Sequence, residues 1–222
     1  MPKFSRLTVY QKLHDYPVIP LLTHTDVEAC KQIMQACYKG GVRVFEFTNR
    51  SDFAHETFAQ LSRFAHEYFT DLVIGAGTIV DAGTASLYIQ LGADFIVAPN
   101  LVPEVGRVCN RRKIGWIPGV ATLSEISQAE EMGVEIVKVF PGQVLTPNFV
   151  KALKAPLPWT SVMATGGVEP TQESLSKWFG AGVTCVGLGS QLFPKEMLDN
   201  GNWAALEDKI RDVMTIVSEL KK

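Results

Sequence analysis

The chain has 222 residues, 46% of them hydrophobic and 20% charged, with a formal net charge of −2 at pH 7. That balance describes a globular protein long enough to bury a sizeable core, and its evenly spread charge leaves no basic footprint for nucleic acid. No apolar run approaches the roughly 18 residues that would span a membrane, and the opening MPKFSRLTVYQKLHDY lacks the apolar stretch of a secretory signal.

In chain order, the stretch from about Ser5 to Asp15 is amphipathic through Leu7, Tyr10 and Leu13. It reads as an N-terminal helix, about residues 1–16, that plugs the bottom of the fold or serves an oligomer contact. Eight β-rich runs follow: VIPLLT from Val18, RVFEFT from Arg43, VIGAGTI from Val73, FIVAPN from Phe95, GWIPGV from Gly115, IVKVFP from Ile136, VMATGG from Val162 and CVGLGS from Cys185. Each is nearly continuously apolar, as expected of parallel strands covered on both faces. Helical patterns fill the gaps. Thr25-Asp26-Val27-Glu28 reads as a capping box opening a helix to about Gly40. Asp81 to Leu91, Ser124 to Met132, Thr171 to Phe179 and the tail from about Asn202 read as helices as well.

A joint recurs between helix and strand in KGGVRVFEF, QLGADFIVA, EMGVEIVKV and GAGVTCVGL. Glycine closes each helix in the left-handed region and the strand follows at once. Eight β-then-α units without a linker predict an α/β protein, a (β/α)8 TIM barrel filling residues 1–222 as a single domain, with the N-terminal helix capping it. The alternative is an open doubly wound sheet. Gly75-Ala76-Gly77 could seed a dinucleotide fingerprint, but Val80 stands where the third glycine belongs, so these glycines read as permitting a tight βα turn. Cys30, Cys37, Cys109 and Cys185 form no C-x-x-C pair and read as buried thiols of a reducing cytoplasm.

In such a barrel the active site lies at the C-terminal ends of the strands, so polar side chains inside apolar runs stand out. Lys138 interrupts Ile136-Val137-Lys138-Val139-Phe140. Pointing into the barrel, it is a neutral nucleophilic amine suited to a Schiff base, or a structural cation paired with a carboxylate. Glu46 interrupts Val44-Phe45-Glu46-Phe47, and alternation puts Val44, Glu46 and Thr48 on one face. It is a general acid/base or half of an ion pair with Lys138. Arg50, just past that run, is a carboxylate clamp or a solvated loop cation. The last two runs end in Thr165-Gly166-Gly167 and Gly187-Leu188-Gly189-Ser190, which cradle a phosphate or another anion, or only shape tight loops. His14, His24, His55 and His66 show no metal-ligand spacing, and His24 reads as flanking a helix.

Together these residues resemble the 2-keto-3-deoxy-6-phosphogluconate / 4-hydroxy-2-oxoglutarate aldolases, class I Schiff-base barrel enzymes. The resemblance runs from about residue 17 to 195. It is carried by Gly41-Val42-Arg43-Val44-Phe45-Glu46-Phe47-Thr48-Asn49-Arg50, Gly75-Ala76-Gly77-Thr78, Ala98-Pro99, Ile117-Pro118-Gly119-Val120, Lys138-Val139-Phe140-Pro141, Thr165-Gly166-Gly167 and Gly189-Ser190. It implies Lys138 as the Schiff-base lysine and Glu46 as the general acid/base. Arg50 would bind the pyruvoyl carboxylate, with Thr78 and Pro99 lining the same pocket. Thr165, Gly166, Gly167 and Ser190 would hold the distal phosphate, and Phe140 and Gly189 join the substrate contacts. The resemblance further implies a small keto acid substrate, phosphorylated at its far end, a homotrimer, and no metal or other cofactor. The sequence departs from the family at Asn49 (commonly Leu or Phe), Gln143 (commonly Glu), Asn100 (Gly) and Ala164 (Pro). Two other readings of the same residues are a phosphosugar isomerase or epimerase, with Glu46 and Lys138 as acid and base, and a non-catalytic metabolite binder.

Overall fold

The computed structural model describes residues 2–221. Its strands are β1 (Val18–Leu22), β2 (Val44–Thr48), β3 (Val73–Gly77), β4 (Phe95–Val97), β5 (Gly115–Ile117), β6 (Gly119–Val120), β7 (Ile136–Val139), β8 (Ser161–Thr165) and β9 (Cys185–Leu188). Its helices are α1 (Arg6–Asp15), α2 (Val27–Lys39), α3 (Ala54–Tyr68), α4 (Ala82–Gln90), α5 (Pro103–Arg112), α6 (Leu123–Glu131), α7 (Gly142–Lys154), α8 (Gln172–Gly180), α9 (Lys195–Asp199) and α10 (Trp203–Leu220). Every strand pairing is parallel, in the order β5-β4-β3-β2-β1-β9-β8-β7-β6.

The fifth apolar run is therefore two strands rather than one. Pro118 has no N–H and breaks the ladder. The run pairs with β4 before the proline and with β7 after it, and Lys138 N donates to Pro118 O at 2.8 Å. This change of partner brings the two ends of the sheet together, and the eight runs make a TIM-like α/β barrel.

The core has two layers, set by strand alternation. Inside the barrel lie Ile19, Val44, Val73, Phe95, Ile136 and Met163, among others. Between sheet and helices lie Phe45, Phe47, Ile74, Val137 and Val139. Val9, Tyr10 and Leu13 of α1 belong to the inner cluster, so this helix closes the barrel's floor. The Tyr10 hydroxyl donates to Trp116 O and accepts from Trp116 N. Asp94 ties down the segment before α1, accepting from the amides of Lys3, Phe4 and Ile74.

The recurrent joints adopt the expected conformation, with Gly41, Gly92, Gly133 and Gly182 at φ 106°, 104°, 78° and 97°. The start of α2 differs from the sequence reading. Asp26, not Thr25, is the N-cap, and its side chain accepts from Ala29 N, while Glu28 turns outward to Lys31. Both residues suit a cap, and the one set by the loop from β1 wins. Also, α7 is kinked at Thr146 (φ 59°, ψ 166°), immediately before Pro147, which restricts its predecessor away from the helical region.

Candidate active site

β2 and β7 bring the charged residues inward. Phe45 and Phe47 fill the outer layer and Val44 the inner one, so Glu46 shares the inward face. By the same parity Ile136 and Lys138 point in while Val137 and Val139 point out. Both charged side chains are buried, Glu46 at 1% exposure and Lys138 at 3%.

Room for Glu46 comes from β3. Gly77 pairs with Thr48, and a Cβ on Gly77 would stand 1.7 Å from Glu46 Oε1. A Cβ on Gly75 would meet the Phe95 ring at 2.3 Å. The expectation that these glycines shape a turn is thus corrected. Both lie within the strand, where their missing side chains leave space for the contents of the barrel. The left-handed residue at this strand end is Thr78, at φ 61°, a conformation uncommon for a β-branched residue. Its Oγ1 accepts from Arg50 Nε at 3.1 Å.

Burial governs the electrostatics. It pushes the Glu46 carboxyl up, against the downward pull of Lys138 and Arg50. It pulls the Lys138 ammonium down, with Glu46 opposing and Arg50 reinforcing. Both groups are driven toward their neutral forms. Among the described residues no direct ion pair joins them, and the buried Glu46 Oε2 lacks a hydrogen-bond partner. Lys138 Nζ sits 4.9 Å from the centroid of the Phe140 ring. The shifts favour the neutral amine and the neutral carboxyl, the forms in which such groups serve as a nucleophile and a proton donor.

The strand ends open onto a cleft of about 440 Å³. Arg50, Thr78, Pro99, Lys138 and Phe140 line it together with Thr165, Gly166, Gly167, Gly189 and Ser190. Glu46, singled out in the sequence, is not on its surface and lies enclosed in the barrel instead. Gly166 and Gly167 both have positive φ, 86° and 68°. A Cβ on Gly167 would fall 2.7 Å from Gln143 Cα, so only glycine lets this loop lie against the start of α7. Among the described residues the buried Thr165 Oγ1 has no hydrogen-bond partner. Gly187, part of the glycine run read in the sequence, lines the cleft as well, and so do Leu21, Val168 and Gln191, which were not singled out in the sequence. Leu21 could have been found by alternation from Ile19. Gln143, noted only as a departure, lines the cleft too. A side chamber of about 220 Å³ shares Arg50 and Ser190 and reaches Thr23 and Thr48, whose hydroxyls are hydrogen-bonded to each other. His24 stays outside, its Nδ1 accepting from Asp26 N at the start of α2.

The family model for KDPG and KHG aldolase matches residues 9–209. A 2-dehydro-3-deoxy-phosphogluconate aldolase from Pseudoalteromonas atlantica is 32% identical over 192 residues, covering 84% of this chain and 85% of that protein. A 2-dehydro-3-deoxy-6-phosphogalactonate aldolase from Escherichia coli is 39% identical over 131 residues, covering 57% of this chain and 61% of that protein. Among solved structures, KDPG aldolase from Legionella pneumophila, with pyruvate captured at low pH as a covalent carbinolamine intermediate, superposes with a TM-score of 0.82 at 28% identity. It covers 91% of this chain and 96% of that one.

Proposed function

The chain belongs to the KDPG and KHG aldolase family, and from that premise we propose how its own residues cleave a 2-keto-4-hydroxy acid. It is a carbon–carbon lyase, which sets aside the isomerase and binder readings. The observation that carries the residue assignment is the burial of Glu46 and Lys138 on inward faces of the barrel, with Lys138 and Arg50 lining the same cleft.

Arg50 takes the substrate carboxylate, and Thr78, Pro99 and Phe140 shape the pocket around the keto group. The neutral Lys138 amine attacks C2, forming a C–N bond and a carbinolamine. Glu46 donates the proton that lets the C2 oxygen leave as water, giving an iminium. As a carboxylate it then takes the C4 hydroxyl proton. The C3–C4 bond breaks, its electron pair passes to the iminium as an enamine, and the aldehyde departs. Protonation of C3 and hydrolysis of the iminium release pyruvate and restore the lysine.

Thr165, Gly166, Gly167, Gly189 and Ser190 hold the far end of the substrate. Backbone amides freed by glycine, with two hydroxyls, suit a phosphate. The preferred substrate is 2-keto-3-deoxy-6-phosphogluconate, cleaved to pyruvate and glyceraldehyde 3-phosphate. 4-Hydroxy-2-oxoglutarate, giving pyruvate and glyoxylate, is a second substrate. The identity to the phosphogalactonate aldolase favours one other reading, the C4 epimer. Steady-state cleavage of all three compounds separates these. The proposal expects the phosphogluconate to have the highest kcat/KM and to lose it by about tenfold or more in Ser190→Ala, with the unphosphorylated substrate unaffected. A glyoxylate-forming substrate that outperforms both phosphosugars would refute the phosphate assignment.

The protein is further assigned as a cytoplasmic homotrimer. Four buried free cysteines suit a reducing compartment. The exposed side chains of Phe53 and Val144, at 70% and 71%, are apolar area that a partner copy would cover.

A further inference from the structure

Arg50 is an exposed side chain at the rim of the cleft, and holding a long guanidinium in one place costs rotamer entropy unless its surroundings fix it. Three hydrogen bonds tie this stretch of chain to the β3–α4 unit. Arg50 Nε donates to Thr78 Oγ1 at 3.1 Å. Asn49 N donates to Gly77 O at 2.8 Å. Asn49 Oδ1 accepts from the Tyr88 hydroxyl at 2.9 Å.

The third bond is the unexpected one. Alternation turns Asn49 away from Thr48 and Arg50, toward the layer between sheet and helices. Tyr88 reaches it from α4 and is fully buried, its ring edge-on to Phe58 at 5.0 Å. A polar amide in that layer is costly unless partnered, and packing alone would be served by an apolar residue at 49 and a phenylalanine at 88. Instead an amide and a phenol meet one residue away from the guanidinium. Thr78 and Tyr88 both belong to the β3–α4 unit, so one unit holds Arg50 at the cleft rim and its neighbour from the outer layer.

We propose that Tyr88 and Asn49 are positioning residues that set Arg50 for the substrate carboxylate; this rests on the assignment of that carboxylate to Arg50. Neither touches the reacting atoms. Their effect belongs in substrate affinity, not in the chemical step.

The test is a cycle of Tyr88→Phe, Arg50→Ala and the double variant, read as the half-saturating pyruvate concentration in borohydride inactivation and as KM and kcat for cleavage. Tyr88→Phe should raise both KM and half-saturation about three- to tenfold, as loss of one hydrogen bond implies, with kcat changed less than about twofold. In the Arg50→Ala background it should add nothing, since it acts through Arg50. Asn49→Leu reads the same effect from the other partner, should Tyr88→Phe fold poorly. Tyr88→Phe and Asn49→Leu that lower the melting temperature but leave KM unchanged overturn the proposal, as does an effect of undiminished size in the Arg50→Ala background. If Arg50→Ala itself leaves half-saturation unchanged, the carboxylate assignment fails first, and this proposal with it.

Discussion

Gly77→Ala separates the Glu46 carboxylate from everything else in the site. Gly77 is not at positive φ, so alanine adds no backbone strain. The new Cβ would lie 1.7 Å from Glu46 Oε1, 2.6 Å from its Cδ and 3.0 Å from its Cγ. Real Cβ atoms essentially never come closer than 3.0 Å to another atom. The carboxylate must therefore retreat and Cγ give by a few tenths of an ångström, while the main chain can stay. A displacement of about 1 Å costs on the order of 10²-fold in rate. That falls within the roughly 10²–10⁴-fold that positioned acid/base catalysis is worth, or about 3–5 kcal/mol at ~1.4 kcal/mol per decade. Pyruvate release, coupled to lactate dehydrogenase, reads this directly. Gly77→Ala should lose about 10²-fold in kcat with little change in KM, because the residues lining the cleft are untouched. Glu46→Gln sets the floor, and adding Gly77→Ala to it should cost little more. If Gly77→Ala cleaves substrate within about threefold of the parent, Glu46 is not the proton-transfer group held by that gap.

Two stability measurements follow from the same buried groups. Burial holds the Lys138 amine below its ordinary value of 10.5, so between its folded value and 10.5 the unfolded chain binds more protons and stability rises with pH. Below that window the cost of the buried group is fully present. Lys138→Met should therefore raise the melting temperature near neutral pH by roughly 2–8 °C, with the gain shrinking as pH approaches 10.5; a lower melting temperature at neutral pH would mean that Lys138 is a structural cation. Asp94→Ala leaves the buried Ile74 amide and those of Lys3 and Phe4 without their acceptor. Thermal unfolding should drop by roughly 5–12 °C while kcat at 25 °C stays unchanged, and a melting temperature equal to the parent's would remove Asp94 as the anchor of the N-terminal segment.

Much of this arrangement was legible because parallel barrel strands are apolar on both faces, so a charge within one has few places to go. The charges of Lys138 and Glu46 marked the inward parity of their runs, and Val44 and Ile136 of the same parity lie in the inner cluster. The glycine joints were equally readable, since the backbone they require excludes most other residues. What escaped depended on neighbours distant in sequence. That Gly77 makes room for Glu46 requires knowing that β2 and β3 pair with Thr48 opposite Gly77. Closure at Pro118 depends on one run changing partners. Thr78 takes a left-handed backbone against its local preference, where the next residues and Arg50 over-determine it. The meeting of Tyr88 with Asn49 is tertiary, and neither residue announces it alone.

Reduction with borohydride in the presence of pyruvate, followed by peptide mapping, tests the central claim most directly. The account predicts one reduced pyruvate adduct, on Lys138, absent from Lys138→Ala. A folded protein that traps no pyruvate, or traps it on another lysine, would contradict the account.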